Sequence, residues 1–196
     1  MTKKVVLAGA CRTAIGKMGG ALSNTPAADL GSIVIKEALN RAGVKPEQVD
    51  EVLMGCVIQA AQGQNVARQA SIKAGLPIEV PAVTLNVVCG SGLNCVNQAA
   101  AMIMAGQADI VVAGGMENMS LIPHYVHLRN GVKFGPTSLV DGMQKDGLTD
   151  AYDNNAMGVC ADLCATEYNI TREDQDNFAI QSYERSAAAW EAGKFD

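Results

Sequence analysis

Thr84-Leu85-Asn86-Val87-Val88-Cys89-Gly90-Ser91-Gly92-Leu93 is the stretch where one kind of periodicity gives way to another. Val83 to Val88 is apolar and rich in β-branched residues, which predicts a buried strand. Leu93 to Ala105 is dominated by small and apolar residues and predicts a packed helix. Cys89 stands at the joint, followed by Gly90 and Gly92. A thiol placed there faces the free N–H groups and the positive dipole end of a helix, a setting that favours thiolate. The glycines allow a tight turn and leave room for a carbonyl group beside the sulfur. This is one way to make a nucleophilic cysteine. The local pattern alone is equally that of a small core thiol, since free cysteines are among the most buried residues.

The same strand-to-helix logic extends in both directions. Lys4–Ala10 predicts a first strand, followed by a loop with Arg12, Gly16, Gly19 and Gly20. Pro26 to Ala42 carries Leu30, Ile33, Val34, Ala38 and Leu39 at helical spacing, with Gly43 as its C-terminal cap. Glu51–Val57 predicts a strand, Asn65–Ala74 a short helix closed by Gly75, and Asp109–Ala113 a strand closed by Gly114-Gly115. Strands alternating with helices imply an α/β fold: a mixed, mostly parallel sheet flanked by helices. Beyond Gly115 the texture changes, and residues 117–155 are rich in Met, Asn, Asp and Gly with weak periodicity. Two helices are expected after it, near Met157–Tyr168 and Arg172–Ala192. The second opens on Thr171-x-x-Asp174, a capping-box pattern with Asp in the usual Glu position, and its Phe178, Ile180, Tyr183, Ala187 and Trp190 make an apolar face. The expected organisation is a core over residues 1–116 and an excursion of helical and irregular structure over 117–196.

Bulk properties narrow the function. The chain has 196 residues, a 48% apolar fraction and a net charge of −5, which argues against nucleic acid or an anionic membrane as main partner. Apolar runs are broken well before membrane-spanning length, and the N-terminal Val5-Val6-Leu7-Ala8 is too short and too soon followed by Arg12 for a signal peptide. Six cysteines in such a chain read as reduced thiols, so a cytoplasmic location is expected.

Other motifs are weaker. Gly90-x-Gly92-x-x-Cys95 resembles a dinucleotide fingerprint, but Cys95 replaces the glycine that lets helix and strand pack closely. Gly16-Lys17 lacks the glycine spacing and the Ser or Thr of a P-loop. His124-x-x-His127 with Cys160-x-x-x-Cys164 could supply four zinc ligands, though thiols at that spacing are usually core, and no metal is expected. His124 and His127 are also the chain's two histidines, and neither has the context of a base for Cys89.

Taken in order, several runs resemble one family. They are Arg12-Thr13-Ala14-Ile15-Gly16, Gly63-Gln64-Asn65-Val66-Ala67-Arg68-Gln69-Ala70, Asn86-Val87-Val88-Cys89-Gly90-Ser91-Gly92, Ala113-Gly114-Gly115-Met116-Glu117-Asn118-Met119-Ser120, Asp146-Gly147-Leu148-Thr149-Asp150-Ala151 and Met157-Gly158. The chain resembles the N-terminal half of a thiolase on the acetyl-CoA acetyltransferase branch, and the likeness covers essentially its whole length. The resemblance implies a thiolase-like N-terminal core followed by the start of a loop domain. It implies that Cys89 takes an acetyl group from acetyl-CoA, which a second acetyl-CoA then accepts to give acetoacetyl-CoA. Under it the Cys89 backbone N–H helps hold the oxyanion, Gly90 adjoins the thioester, and Leu148 and Met157 line the pantetheine pocket. No cofactor is implied beyond the coenzyme A thioester substrate, and the implied partners are further copies of the chain, as a dimer or tetramer. Many relatives carry His where this chain has Ala156. The family's C-terminal half also supplies a Gly-His-Pro histidine, an Asn-Glu-Ala-Phe asparagine and a second cysteine, none of which occurs here. The resemblance therefore implies a nucleophile without its proton-transfer partners, as in a truncated chain or one subunit of a split enzyme.

Overall fold

The computed structural model describes residues 4–195. In chain order its main elements are α1 (Ala27–Ala42), β1 (Glu51–Gly55), α2 (Val66–Ala74), β2 (Ala82–Leu85), α3 (Ser91–Met104), β3 (Val111–Gly115), β4 (His124–Tyr125), β5 (Val140–Asp141), α4 (Met157–Glu167) and α5 (Arg172–Glu191). The chain divides into two compact units, Met1–Gly147 and Leu148–Asp196. The change of texture at residue 117 therefore lies inside the first unit.

The first unit is built on a three-stranded parallel sheet in the order β2-β1-β3. Val52 pairs with Ala82 on one side and Val112 on the other, and Gly55 with Leu85 and Gly115, so all three strands finish at the same edge. β1 is buried on both faces, as a central parallel strand should be. Val52 and Met54 join Ile35, Leu39, Val66, Ala70 and Met116 in the larger core, where α1 packs on α2 and α2 on the sheet. Leu53 points the other way, onto Cys95 and Ala99 of α3. The alternation along β1 thus sends successive side chains into two helical layers.

Helix ends follow local chemistry. Gly43 and Gly75 close α1 and α2 in the left-handed conformation, with φ of +66° and +93°. The Asn65 side chain caps α2 by accepting from the Arg68 N–H, and the Arg68 guanidinium holds the following loop by donating to the Ile78 and Val80 carbonyls, each at 2.6 Å.

Two strand expectations need correction. Lys4–Ala10 makes no strand. Gly9 has φ +67° and turns the chain against α1, where a Cβ would fall 2.1 Å from the Ala38 carbonyl oxygen, and the Cys11 thiol bonds to the Val34 carbonyl. Without a partner strand, the apolar pattern leaves Val6 and Leu7 exposed. The strand predicted through Val88 stops at Leu85, and Val87 and Val88 are about half exposed. Asn86 ends it by turning its side chain onto neighbouring backbone.

In the second unit, α5 carries the expected capping box. The Thr171 hydroxyl accepts from the Asp174 N–H, and the Asp174 carboxylate accepts from the Thr171 N–H. The apolar face anticipated on α5 is not buried in this unit; Phe178, Tyr183 and Trp190 are exposed. Among the described residues no helix is long and apolar enough to cross a membrane.

Candidate active site

Parallel sheets place ligands beyond the carboxyl ends of their strands. Here those ends are Gly55, Leu85 and Gly115, and the segments leaving them meet. Glycines make the meeting possible. A methyl group at Gly55 would stand 2.7 Å from Ser91 Cβ and 2.9 Å from the Gly92 nitrogen, so the first turn of α3 rests directly on the end of β1. This is the helix that Cys89 and Gly90 lead into.

The turn that carries Cys89 is tightly bonded. Asn86 Oδ1 accepts from the Val88 N–H at 2.9 Å, and Asn86 Nδ2 donates to the Val57 carbonyl at 3.0 Å. The Ser91 hydroxyl accepts from the Val87 N–H at 3.0 Å and donates to the Val88 carbonyl at 2.6 Å. Gly90 caps α3: its N–H donates to the Val87 carbonyl, and its own carbonyl accepts from the Asn94 N–H. Between these bonds Val88 adopts φ +53°, a conformation that β-branched side chains rarely tolerate. Cys89 follows, exposed, at the mouth of α3.

Cys89 lines a cavity of about 1090 Å³ within the first unit. Its other walls include the residues leaving β1 (Cys56, Val57) and β3 (Met116, Glu117), and the loop from Arg12 to Met18. Cys56 is buried and is a different kind of thiol. Burial, with the Glu117 carboxylate beside it, pushes it up to about 12. It stays protonated and donates to Glu117 Oε1 at 3.6 Å, while Glu117 Oε2 accepts from the Val57 N–H at 2.7 Å. Cys95, also buried under the sheet, is likewise raised, chiefly by desolvation. Among the six cysteines, Cys89 therefore joins exposure to a bonded turn and a cavity.

Leu148 and Met157 belong to the second unit. There Thr149 and Ala156 form an antiparallel bridge, and the Asp150 N–H donates to the Asn155 carbonyl at 2.8 Å. The bridge closes a short loop and brings Leu148 and Met157, one residue outside it on either side, next to each other; both are partly exposed. Ala156 starts α4 without a side-chain cap. His124 and His127 lie in the first unit, with His124 in β4 opposite Asp141 and His127 edge-on to Tyr125, whereas Cys160 and Cys164 lie exposed in the second. Among the described residues no group of three or more His, Cys, Asp or Glu is arranged to hold a metal.

Sequence reasoning assigned no role to Asn86, Ser91, Cys56 or Glu117. An Asn at the end of an apolar strand and a Ser two residues past the cysteine are both residue types that bond to backbone, and that was the signal available.

Comparison with known proteins gives a consistent picture. The model of the thiolase N-terminal domain matches residues 5–196. An acetyl-CoA acetyltransferase of Cupriavidus necator is 58% identical over 193 residues, covering 98% of this chain and 49% of that protein. One from Chromobacterium violaceum is 56% identical with the same coverage, and a cytosolic acetyl-CoA acetyltransferase of Rattus norvegicus is 52% identical over 192 residues, covering 98% of this chain and 48% of its own. The chain thus spans about half the length of the curated relatives it matches.

Proposed function

This chain belongs to the thiolase family, as its N-terminal domain, and from that premise we propose that it carries the acyl-accepting part of an acetyl-CoA acetyltransferase. The observation that supports this most is Cys89 itself: an exposed thiol at the start of α3, opening on a cavity at the carboxyl edge of a parallel sheet.

The Cys89 thiolate attacks the thioester carbon of acetyl-CoA. The negative charge that develops on the carbonyl oxygen is met by the Cys89 backbone N–H at the start of α3. Collapse of this intermediate breaks the bond to the CoA sulfur, leaves an acetyl group on Cys89 and releases CoA. A second acetyl-CoA, deprotonated at its α-carbon, takes the acetyl group and gives acetoacetyl-CoA; the reverse path cleaves acetoacetyl-CoA with CoA. The family resemblance assigns the movement of the α-proton to groups of the C-terminal half. Gly90 leaves space beside the thioester. The family resemblance is what assigns Leu148 and Met157 to the pantetheine arm. The coenzyme A thioester is the substrate and no separate cofactor is required. A cytosolic setting agrees with the name of the rat relative, a cytosolic acetyl-CoA acetyltransferase, and the assembly is a homo-oligomer.

Mass spectrometry after incubation with acetyl-CoA tests the reading. The expected result is a stable adduct of about 42 Da on Cys89 that disappears in Cys89→Ser, since such intermediates accumulate when the next step is blocked. No adduct on a folded protein, with or without the complementary half, refutes it and leaves a scaffold that keeps the fold without the chemistry.

A further inference from the structure

Val88 poses the question. A β-branched residue at φ +53° is costly and persists only where its surroundings impose it. Both sides of Val88 are tethered: its N–H by Asn86 Oδ1, its carbonyl by the Ser91 hydroxyl. Asn86 is itself fixed, because its Nδ2 donates to the Val57 carbonyl. Val57 is fixed in turn, because its N–H donates to Glu117 Oε2. The remaining Glu117 oxygen receives the Cys56 thiol.

These bonds link three strand ends. Asn86 directly follows β2, Val57 lies two residues beyond β1, and Glu117 lies two residues beyond β3. We propose that Asn86 and Glu117 are positioning residues that set the placement of Cys89 for acyl transfer, acting through the backbone N–H and carbonyl of Val57. The proposal rests on the reading of Cys89 as acyl acceptor. It assigns to a side-chain chain across the sheet edge what the strand ladder, already ended at Leu85, no longer does. Through it the nucleophile is referenced to three strands rather than to one loop. The thiol–carboxylate contact at Cys56 keeps Glu117 aimed at Val57, so that a buried cysteine without reactivity of its own still serves the site.

The test is the time course of Cys89 acetylation by acetyl-CoA in Asn86→Ala, Glu117→Ala, Glu117→Gln and the double alanine variant. Asn86→Ala and Glu117→Ala are expected to lower the rate constant by roughly ten- to a hundredfold, the scale of a misplaced reacting group, with the final extent unchanged. Glu117→Gln restores most of the rate, because an amide oxygen still accepts from the Val57 N–H. The double variant is no slower than the slower single, as expected for members of one chain of contacts. A purely structural role would instead lower the final extent, through a fraction of unfolded protein, at an unchanged rate constant. Iodoacetamide labelling reports the fold: buried Cys56 and Cys95 stay protected while exposed Cys160 and Cys164 react. If an alanine variant unmasks the buried pair, Asn86→Asp decides, since it keeps the acceptor for Val88 and replaces the donor to Val57 by a carboxylate oxygen that the Val57 carbonyl repels; a parent-like rate there overturns the proposal. If the parent takes up no acetyl group, the acyl-transfer reading fails separately. The iodoacetamide rate at Cys89 relative to Cys160 then carries the test, with the same slowing expected in Asn86→Ala, and no slowing overturns the proposal.

Discussion

Replacing Gly55 by alanine probes how closely α3 must sit on β1 for Cys89 to be where it is. The new methyl carbon would lie 2.7 Å from Ser91 Cβ, 2.8 Å from the Ser91 carbonyl carbon and 2.9 Å from the Gly92 nitrogen. Carbon atoms in contact settle at about 3.5–4.0 Å, so the first turn of α3 must withdraw by about 1 Å. Two of the three atoms are backbone, and no side-chain rotation relieves them. Overpacking of this kind costs about 1–3 kcal/mol, and the lower chain entropy of unfolded alanine returns about 0.5–1 kcal/mol. The net loss is up to about 2.5 kcal/mol, a fall in Tm of up to about 10 °C for a chain of this size. The withdrawal also drags the Ser91 hydroxyl away from Val87 and Val88, and a displacement of about 1 Å at a reacting group costs about a hundredfold in rate. Thermal denaturation and the rate of Cys89 acetylation measure the two effects. Gly158→Ala is the matched control, because it lies in α4 with nothing within 4 Å of its added methyl, and it should be neutral or slightly stabilising in the melt. A Gly55→Ala protein that melts and acetylates like the parent would refute the close approach of helix and strand on which the site geometry depends.

Arg68→Ala removes both bonds to the Ile78 and Val80 carbonyls; charged hydrogen bonds of this kind carry about 1.5–3 kcal/mol, and denaturant titration should show a loss in that range. Arg68→Lys should recover at most part of it, since an ammonium lacks the planar, pre-organised fork of the guanidinium. Cys56 gives a pH prediction. Its folded value of about 12 lies above the ordinary 9.0, so the folded state keeps a proton that the unfolded chain releases. The stabilisation it contributes is complete below pH 9 and is lost as the pH rises towards 12. The expected result is a Tm that falls through that window, with a shallower fall in Cys56→Ala, because Cys95, raised in the same direction, remains. An unchanged slope in Cys56→Ala would refute the contribution assigned to this thiol.

Much of the fold was legible because it is local. Helix α1 could be bounded from Pro26 and Gly43, α2 from Asn65 and Gly75, and α5 from its Thr171–Asp174 box, since each boundary is written in residues that satisfy backbone groups within one turn. The central strand was legible because burial on both faces demands a continuous apolar run. Lys4–Ala10 was not, because the same apolar alternation describes a strand and an extended segment lying on a helix, and the difference is a partner that composition does not name. The exposed face of α5 shows the same limit, since amphipathic spacing predicts that a face is buried without saying by what.

The site shows the sharper case. Periodicity carried β2 three residues too far, through Val87 and Val88, and the overshoot falls on the segment that presents Cys89. Local rules fail there for a reason: two β-branched valines that favour extended structure are held in a turn by Asn86, Ser91 and, through Val57, Glu117. A chain that departs from its own propensities needs bonds to enforce the departure, and such enforced conformations concentrate where chemistry needs a fixed geometry. Exposure of a thiol is common and a helix start is common. A strained valine beside both, fixed from three strand ends, is what distinguishes Cys89 from the other five cysteines of this chain.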